Sequence, residues 1–150
     1  MLQRSNDWFD ARKGRFTASN IHKLLGVRGL GQTGESYIFE KSVEEVYGLD
    51  EDDNFISHDM QRGITLEPLA FRKFKEIKEF EFLEVQETTF FPYGSHAGAS
   101  PDGLVGKDAI LEIKCPRPTK FFNLVANGIN AIDKEYIAQM QMQMLCTNSI

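Results

Sequence analysis

Ser100-Pro101-Asp102-Gly103, followed by Leu111-Glu112-Ile113-Lys114-Cys115-Pro116, is the stretch that decides the fold. Between the two pieces, Gly106-Lys107-Asp108 separates the apolar runs Leu104-Val105 and Ala109-Ile110-Leu111, the pattern of a β-hairpin. A loop centred on Lys107 makes paired residue numbers sum to 214, which sets Asp102 opposite Glu112. Directly opposed residues share a face, with Cβ atoms roughly 5 Å apart. The period of two along the second strand adds Lys114 to that face and turns Ile113 away. Two carboxylates at about 5 Å repel by roughly 3 kcal/mol at an effective dielectric of about 20, so the pair needs compensating charge. Lys114 supplies part of it, and a hard divalent cation such as Mg²⁺ or Mn²⁺ would supply the rest. The plainer alternative is a solvated hairpin face closed by a cross-strand salt bridge.

The 150 residues suffice for one domain with a core, and 41% hydrophobic with 26% charged residues is an ordinary globular balance. No apolar run reaches bilayer length, and Met1-Leu2-Gln3-Arg4-Ser5-Asn6-Asp7 lacks the apolar centre of a signal peptide; both point to a cytoplasmic protein. Cys115 and Cys146 have no metal-ligand spacing and suggest no disulfide framework. The net charge of −5 argues mildly against a nucleic-acid partner, but Arg4, Arg12, Lys13, Arg15, Lys23 and Arg28 outnumber Asp7 and Asp10 near the N-terminus, so a local basic face is compatible with it. His22, His58 and His96 show no ligand spacing.

Ser5 reads as the cap of a short helix through Trp8, Phe9 and Arg12, stopped by Gly14. Arg15 to Ser19 reads as a connector, and Thr17 or Ser19 as the cap of a second helix with Ile21, Leu24 and Leu25 inward. Val27 to Gly34 is glycine-rich and reads as a flexible loop. A third helix is expected from Ser36 to Tyr47 with Phe39, Val43 and Val46 inward. Leu49 to His58 reads as an acidic loop, followed by a fourth helix over Asp59 to Lys78 that Pro68 should kink or restart near Glu67. Short β runs follow: Glu81 to Gln86, Thr88 to Phe91 and Ala97 to Ala99, with a turn at Pro92-Tyr93-Gly94. Thr119 reads as the cap of a helix from Lys120 to Ala126. The last helix starts near Asp133, with an apolar stripe of Ile137, Met140 and Met144 and a polar stripe of Tyr136, Gln139 and Gln143. The polar stripe matters only if it faces the hairpin. Helices, then strands, then helices make an α+β or mixed α/β chain with a sheet flanked by helices.

Five segments in order carry a resemblance: Trp8-Phe9-Asp10-Ala11-Arg12 with Thr17-Ala18-Ser19; Arg62-Gly63 to Glu67 with Ala70; Ser100 to Gly103; Leu111 to Pro116; and Tyr136-Ile137-Ala138-Gln139-Met140-Gln141. Together they resemble the lambda-type exonucleases, or YqaJ-like viral recombinases, of the PD-(D/E)xK nuclease superfamily. The resemblance implies that superfamily's restriction-endonuclease-like core, a central mixed sheet flanked by helices. It makes Asp102, Glu112 and the carbonyl of Ile113 metal ligands, and sets Lys114 beside the attacking water. Glu67 and Gln139 orient that water and Lys114. Arg12, Ser19, Ser100 and, in the glycine-rich loop, Arg28 hold the phosphate at a DNA 5′ end. The implied cofactor is Mg²⁺, with Mn²⁺ as substitute and two ions in the site.

By the same resemblance the chain is a 5′→3′ double-strand DNA exonuclease of phage or prophage recombination in a bacterial host. It leaves 3′ single-stranded tails for an annealing protein and works as a ring-like trimer. A basic residue and hydroxyls near a helix start make a sensible anion site, and a site that takes only a terminal phosphate makes a nuclease exo-acting. Two other readings compete: another superfamily nuclease, a restriction-type endonuclease or a Cas4-like one, whose usual four cysteines are not here; and a non-catalytic DNA-binding module. Family members continue with a further strand and helical part after the glutamine helix, so the single domain is expected to be truncated at its C-terminal end.

Overall fold

The computed structural model describes residues 3–48, 57–77 and 84–150. Among the described residues two small sheets carry the fold. The first is mixed, in the order β1 (Phe16–Thr17), β4 (Ala97–Ala99), β3 (Phe91–Tyr93), with β1 parallel and β3 antiparallel to β4. The second is antiparallel, in the order β2 (Val85–Glu87), β5 (Gly103–Val105), β6 (Ala109–Leu111). Ser100-Pro101-Asp102 is the joint between β4 and β5, and hence between the sheets. The joint is pinned: Pro101 is fully buried, and its carbonyl accepts from Gln3 Nε2 at 3.0 Å and from the Thr88 hydroxyl.

The hairpin register is the one read from the sequence, with Gly103 opposite Leu111, Leu104 opposite Ile110 and Val105 opposite Ala109. Gly106 turns the loop at φ +64°, a conformation glycine takes without a Cβ penalty. Gly98 in β4 is needed for a different reason, since a Cβ there would meet the buried Phe90 ring at 2.2 Å. The turn after β3 lies later than Pro92-Tyr93-Gly94, because Pro92 and Tyr93 are paired in the strand. Glu84 precedes β2, and residues 81–83 of the expected strand lie outside the described residues, as do residues 49–56 of the acidic loop.

The helices pack around the sheets. Helix α1 spans Asn6–Arg12, and the Ser5 side chain accepts from Trp8 N at 3.3 Å. A 3₁₀ helix follows over Ala18–Leu24; the Thr17 side chain makes no cap bond, and Leu25, expected inward, is exposed. The region read as a connector contains β1 because Phe16 N finds the His96 carbonyl at 2.8 Å, a partner far away in sequence. Helix α2 spans Gln32–Tyr47, so Gly34 is helical rather than part of a loop. It does not bury Phe39 and Val46, each 71% exposed; it is anchored by Tyr37, whose hydroxyl accepts from Thr17 N at 3.1 Å and whose ring meets Phe16 edge-on.

Helix α3 runs unbroken over His58–Lys75 from a Ser57 cap, through Pro68. Pro68 is exposed, where water can serve the carbonyl a proline leaves unpaired, so the helix does not restart near Glu67. Helix α4 spans Pro118–Asn127 with Arg117 at the N-cap and Pro118 in its first turn, which moves Thr119 inside the helix. Helix α5, Lys134–Thr147, packs against the 3₁₀ helix, β3, β4 and β6, and so spans both sheets. Ala18, Ala99 and Met142 form the buried core there, flanked by Ile21, Ala97 and Cys146. The expected apolar stripe of α5 is not its buried side: Ile137 is 42% exposed, while Gln139 and Gln143 are buried. Among the described residues no helix is long and apolar enough to cross a membrane.

Candidate active site

The inward glutamines meet the hairpin. Gln139 Nε2 donates to Glu112 Oε1 and Gln143 Nε2 to Glu112 Oε2, each at 2.6 Å. Lys114 Nζ stands 2.6 Å from the same Oε1 and donates to Gln139 Oε1 at 3.0 Å. The Glu112 side chain is only 6% exposed, so this carboxylate is held by charge-assisted bonds in a largely dry setting. Gln143 was in the polar stripe but drew no role from the sequence. Its signal was the i, i+4 repeat with Gln139, which puts both amides one turn apart on one face.

Asp102 does not face Glu112 as a regular ladder pair. The strand pairing ends at Gly103 and Leu111, and Asp102 is fastened on either side of Glu112: its N–H donates to Leu111 O at 3.0 Å, and its Oδ2 accepts from Ile113 N at 2.6 Å. Burial first, and then the charge of Glu112, push its carboxyl up to about 7; the Ile113 N–H opposes this, and Glu67 adds to it. Glu67 lies at the border of two cavities and pairs with Arg4 Nη2 at 2.8 Å. One cavity, about 680 Å³, has Asp102 and the apolar Pro68, Phe71, Phe91 and Leu104 in its wall. The other, about 1110 Å³, is a groove whose wall includes Ser19, Lys114, Arg117, Lys120 and Tyr136.

The Tyr136 ring has two ammonium groups close to it, Lys114 Nζ at 4.8 Å and Lys120 Nζ at 4.6 Å from its centroid. Lys120 also donates to the Tyr136 hydroxyl at 3.3 Å and pairs with Asp133. Neither Lys120 nor Arg4 carries a sequence signal for this placement, because both reach the groove through contacts distant in the chain.

The expected phosphate residues divide. Arg12 lies over Trp8, with its guanidinium carbon 4.0 Å from the ring centroid, and Trp8 Nε1 donates to Ser100 Oγ at 2.9 Å. One indole thus ties Arg12 to the hairpin joint. Burial lowers the Arg12 guanidinium to about 10, against the opposing charges of Tyr37 and Glu44. Ser19 is exposed in the wall of the larger groove, with its hydroxyl 3.3 Å from Thr17 Oγ1. Arg28 is not brought to this centre: it is exposed in the loop after the 3₁₀ helix and makes no hydrogen bond or ion pair among the described residues.

Asp102, Glu112 and the Ile113 carbonyl are an all-oxygen donor set. No group of three or more His, Cys, Asp and Glu side chains gathers as a metal cage among the described residues. Two carboxylates without a full cage match Mg²⁺, which keeps several of its waters. Burial and the neighbouring Glu112 charge raise the Asp102 carboxyl to about 7, a penalty that a divalent cation between the two carboxylates would relieve, so the chemistry of the donor set is compatible with such an ion.

The sequence matches the YqaJ-like viral recombinase domain over residues 7–149. Among solved structures, the alkaline exonuclease LHK-Exo from Laribacter hongkongensis superposes with a TM-score of 0.82 at 33% identity, covering 97% of this chain and 70% of that one. The same enzyme in complex with dAMP superposes with a TM-score of 0.83 at the same identity and coverage. No curated protein matches. The chain belongs to the YqaJ-like viral recombinase family.

Proposed function

We propose that the chain is a Mg²⁺-dependent nuclease, with Mn²⁺ as substitute, that hydrolyses duplex DNA from a 5′-phosphorylated end in the 5′→3′ direction and leaves 3′ single-stranded tails. The observation that carries this reading is the Lys114 ammonium at 2.6 Å from Glu112 and 3.0 Å from Gln139, beside a half-buried Asp102. The likeness to an alkaline exonuclease, one form of which holds dAMP, supports it.

Asp102, Glu112 and the Ile113 carbonyl would hold the ion, which when bound activates water and neutralises phosphate charge. Gln139 and Gln143 fix the Glu112 carboxylate so that it need not reorganise during the reaction. Lys114, aimed by Gln139 and the Tyr136 ring, offers a proton or a positive charge at the attacked phosphorus. Arg12 and Ser100, joined through Trp8, and Ser19 in the groove receive the terminal phosphate. An annealing partner and a ring of three copies belong to the same proposal. The exposed Phe121, Phe122 and Val125 of α4 are apolar surface that a neighbour would cover.

The test is digestion of linear duplex DNA bearing a 5′ phosphate or a 5′ hydroxyl, beside covalently closed circles, with Mg²⁺ or with EDTA. Loss of phosphorylated linear DNA with Mg²⁺ only, and a fall of 100-fold or more in Lys114→Ala, is expected. Cutting of circles would favour an endonuclease, and metal-dependent binding without turnover a non-catalytic module. An undiminished rate in Lys114→Ala would end the proposed mechanism.

A further inference from the structure

Arg4 is one of two described non-glycine residues with positive φ, at +67°; the other is Asn148, of a type that adopts this conformation more readily. The turn that forces it is fastened at both ends. Gln3 donates to the Pro101 carbonyl next to Asp102, and Ser5 caps α1. An unfavourable backbone conformation is thereby used to lay the Arg4 guanidinium 2.8 Å from Glu67 Oε2. Glu67 is the third carboxylate of the centre, since it shares the wall of one cavity with Asp102. Among the described residues Arg4 is its one ion-pair partner, as Lys114 is that of Glu112.

We propose that Arg4 is a placeholder cation: it neutralises Glu67 in the metal-free protein and gives way when a divalent ion binds at Asp102 and Glu112. This rests on the reading of that pair as an ion site. The Arg4 side chain is 42% exposed and borders the larger groove, so it can leave Glu67 for solvent without disturbing packed residues. While it stays, it screens the Glu67 charge that would otherwise attract the incoming ion. Arg4 is a positioning residue that acts through Glu67.

Glycine adopts φ +67° freely, so Arg4→Gly removes the guanidinium while keeping the turn. Mn²⁺ binding is measured by calorimetry and by electron paramagnetic resonance at pH 8 without DNA, on wild type, Arg4→Gly, Arg4→Lys, Glu67→Gln and the Arg4→Gly/Glu67→Gln double variant. Arg4→Gly is expected to bind Mn²⁺ about threefold tighter, the scale of a partly exposed ion pair, with Arg4→Lys close to wild type. In the Glu67→Gln background Arg4→Gly is expected to change nothing, because the charge it screens is gone. No Mn²⁺ uptake by wild type would overturn the ion-site reading itself. Uptake by wild type with equal or weaker binding in Arg4→Gly, or an Arg4→Gly effect that persists without Glu67, would overturn the placeholder alone.

Discussion

Replacing Asp102 by Asn should make the metal-free protein more stable at pH 8 and leave its stability at pH 4 nearly unchanged. Asp102 keeps its proton to about 7 rather than the ordinary 3.8, chiefly because it is buried and secondly because Glu112 is charged. Between these pH values the native state holds a proton that the unfolded state has released. The metal-free protein therefore loses stability as pH rises through the window. At 1.36 kcal/mol per pH unit the full difference is about 4 kcal/mol, and sharing of charge with Glu112 and residual solvent access reduce it to about 2 kcal/mol. Asn is a close isostere whose Oδ1 can still accept from Ile113 N, so the hairpin joint survives the change. Urea or thermal melts in EDTA at pH 4, 6 and 8 read the effect. Adding Mg²⁺ at pH 8 should stabilise wild type and not the variant, closing or reversing the gap. An Asp102→Asn protein less stable than wild type at pH 8 in EDTA would refute the idea that buried, mutually repelling carboxylates are held at this site.

The same proton makes ion binding pH-dependent: below about pH 7, Mn²⁺ affinity should fall about tenfold per unit, as calorimetry at pH 5.5, 6.5 and 8 would show. Gln143→Leu deprives the buried Glu112 Oε2 of its donor and should cost about 2 kcal/mol, seen as a melting temperature lower by about 6 °C; an unchanged melt would contradict the inward placement of the stripe. Arg12→Ala should raise KM for 5′-phosphorylated ends by about tenfold or more and leave 5′-hydroxyl ends unaffected, a comparison made on otherwise identical duplexes. Tyr136→Leu should slow cleavage by about fivefold through loss of the ring beside Lys114, while Tyr136→Phe keeps the ring and a near wild-type rate in the same assay.

What the sequence alone determined is local. Gly106-Lys107-Asp108 between two β runs dictates the hairpin register, because loop length and the two-residue period leave one pairing that keeps the apolar residues together. Ser5 before α1 and the glycines after α1, α2 and α4 mark helix ends through bonds and dihedrals that neighbouring residues supply. Tertiary structure alone decided which face of each helix is buried. On α5 a methionine stripe and a glutamine stripe both recur at helical spacing, and the glutamines turn inward because Glu112 is there to accept from them. On α2 the apolar Phe39 and Val46 stay exposed, while Tyr37 is buried by Thr17 and Phe16. Apolar burial is non-directional and rewards whatever surface a neighbour offers. A charge shielded from water, by contrast, demands particular partners, and those of the buried Glu112 and the half-buried Glu67 come from α5 and from Arg4, segments that only the folded chain brings together.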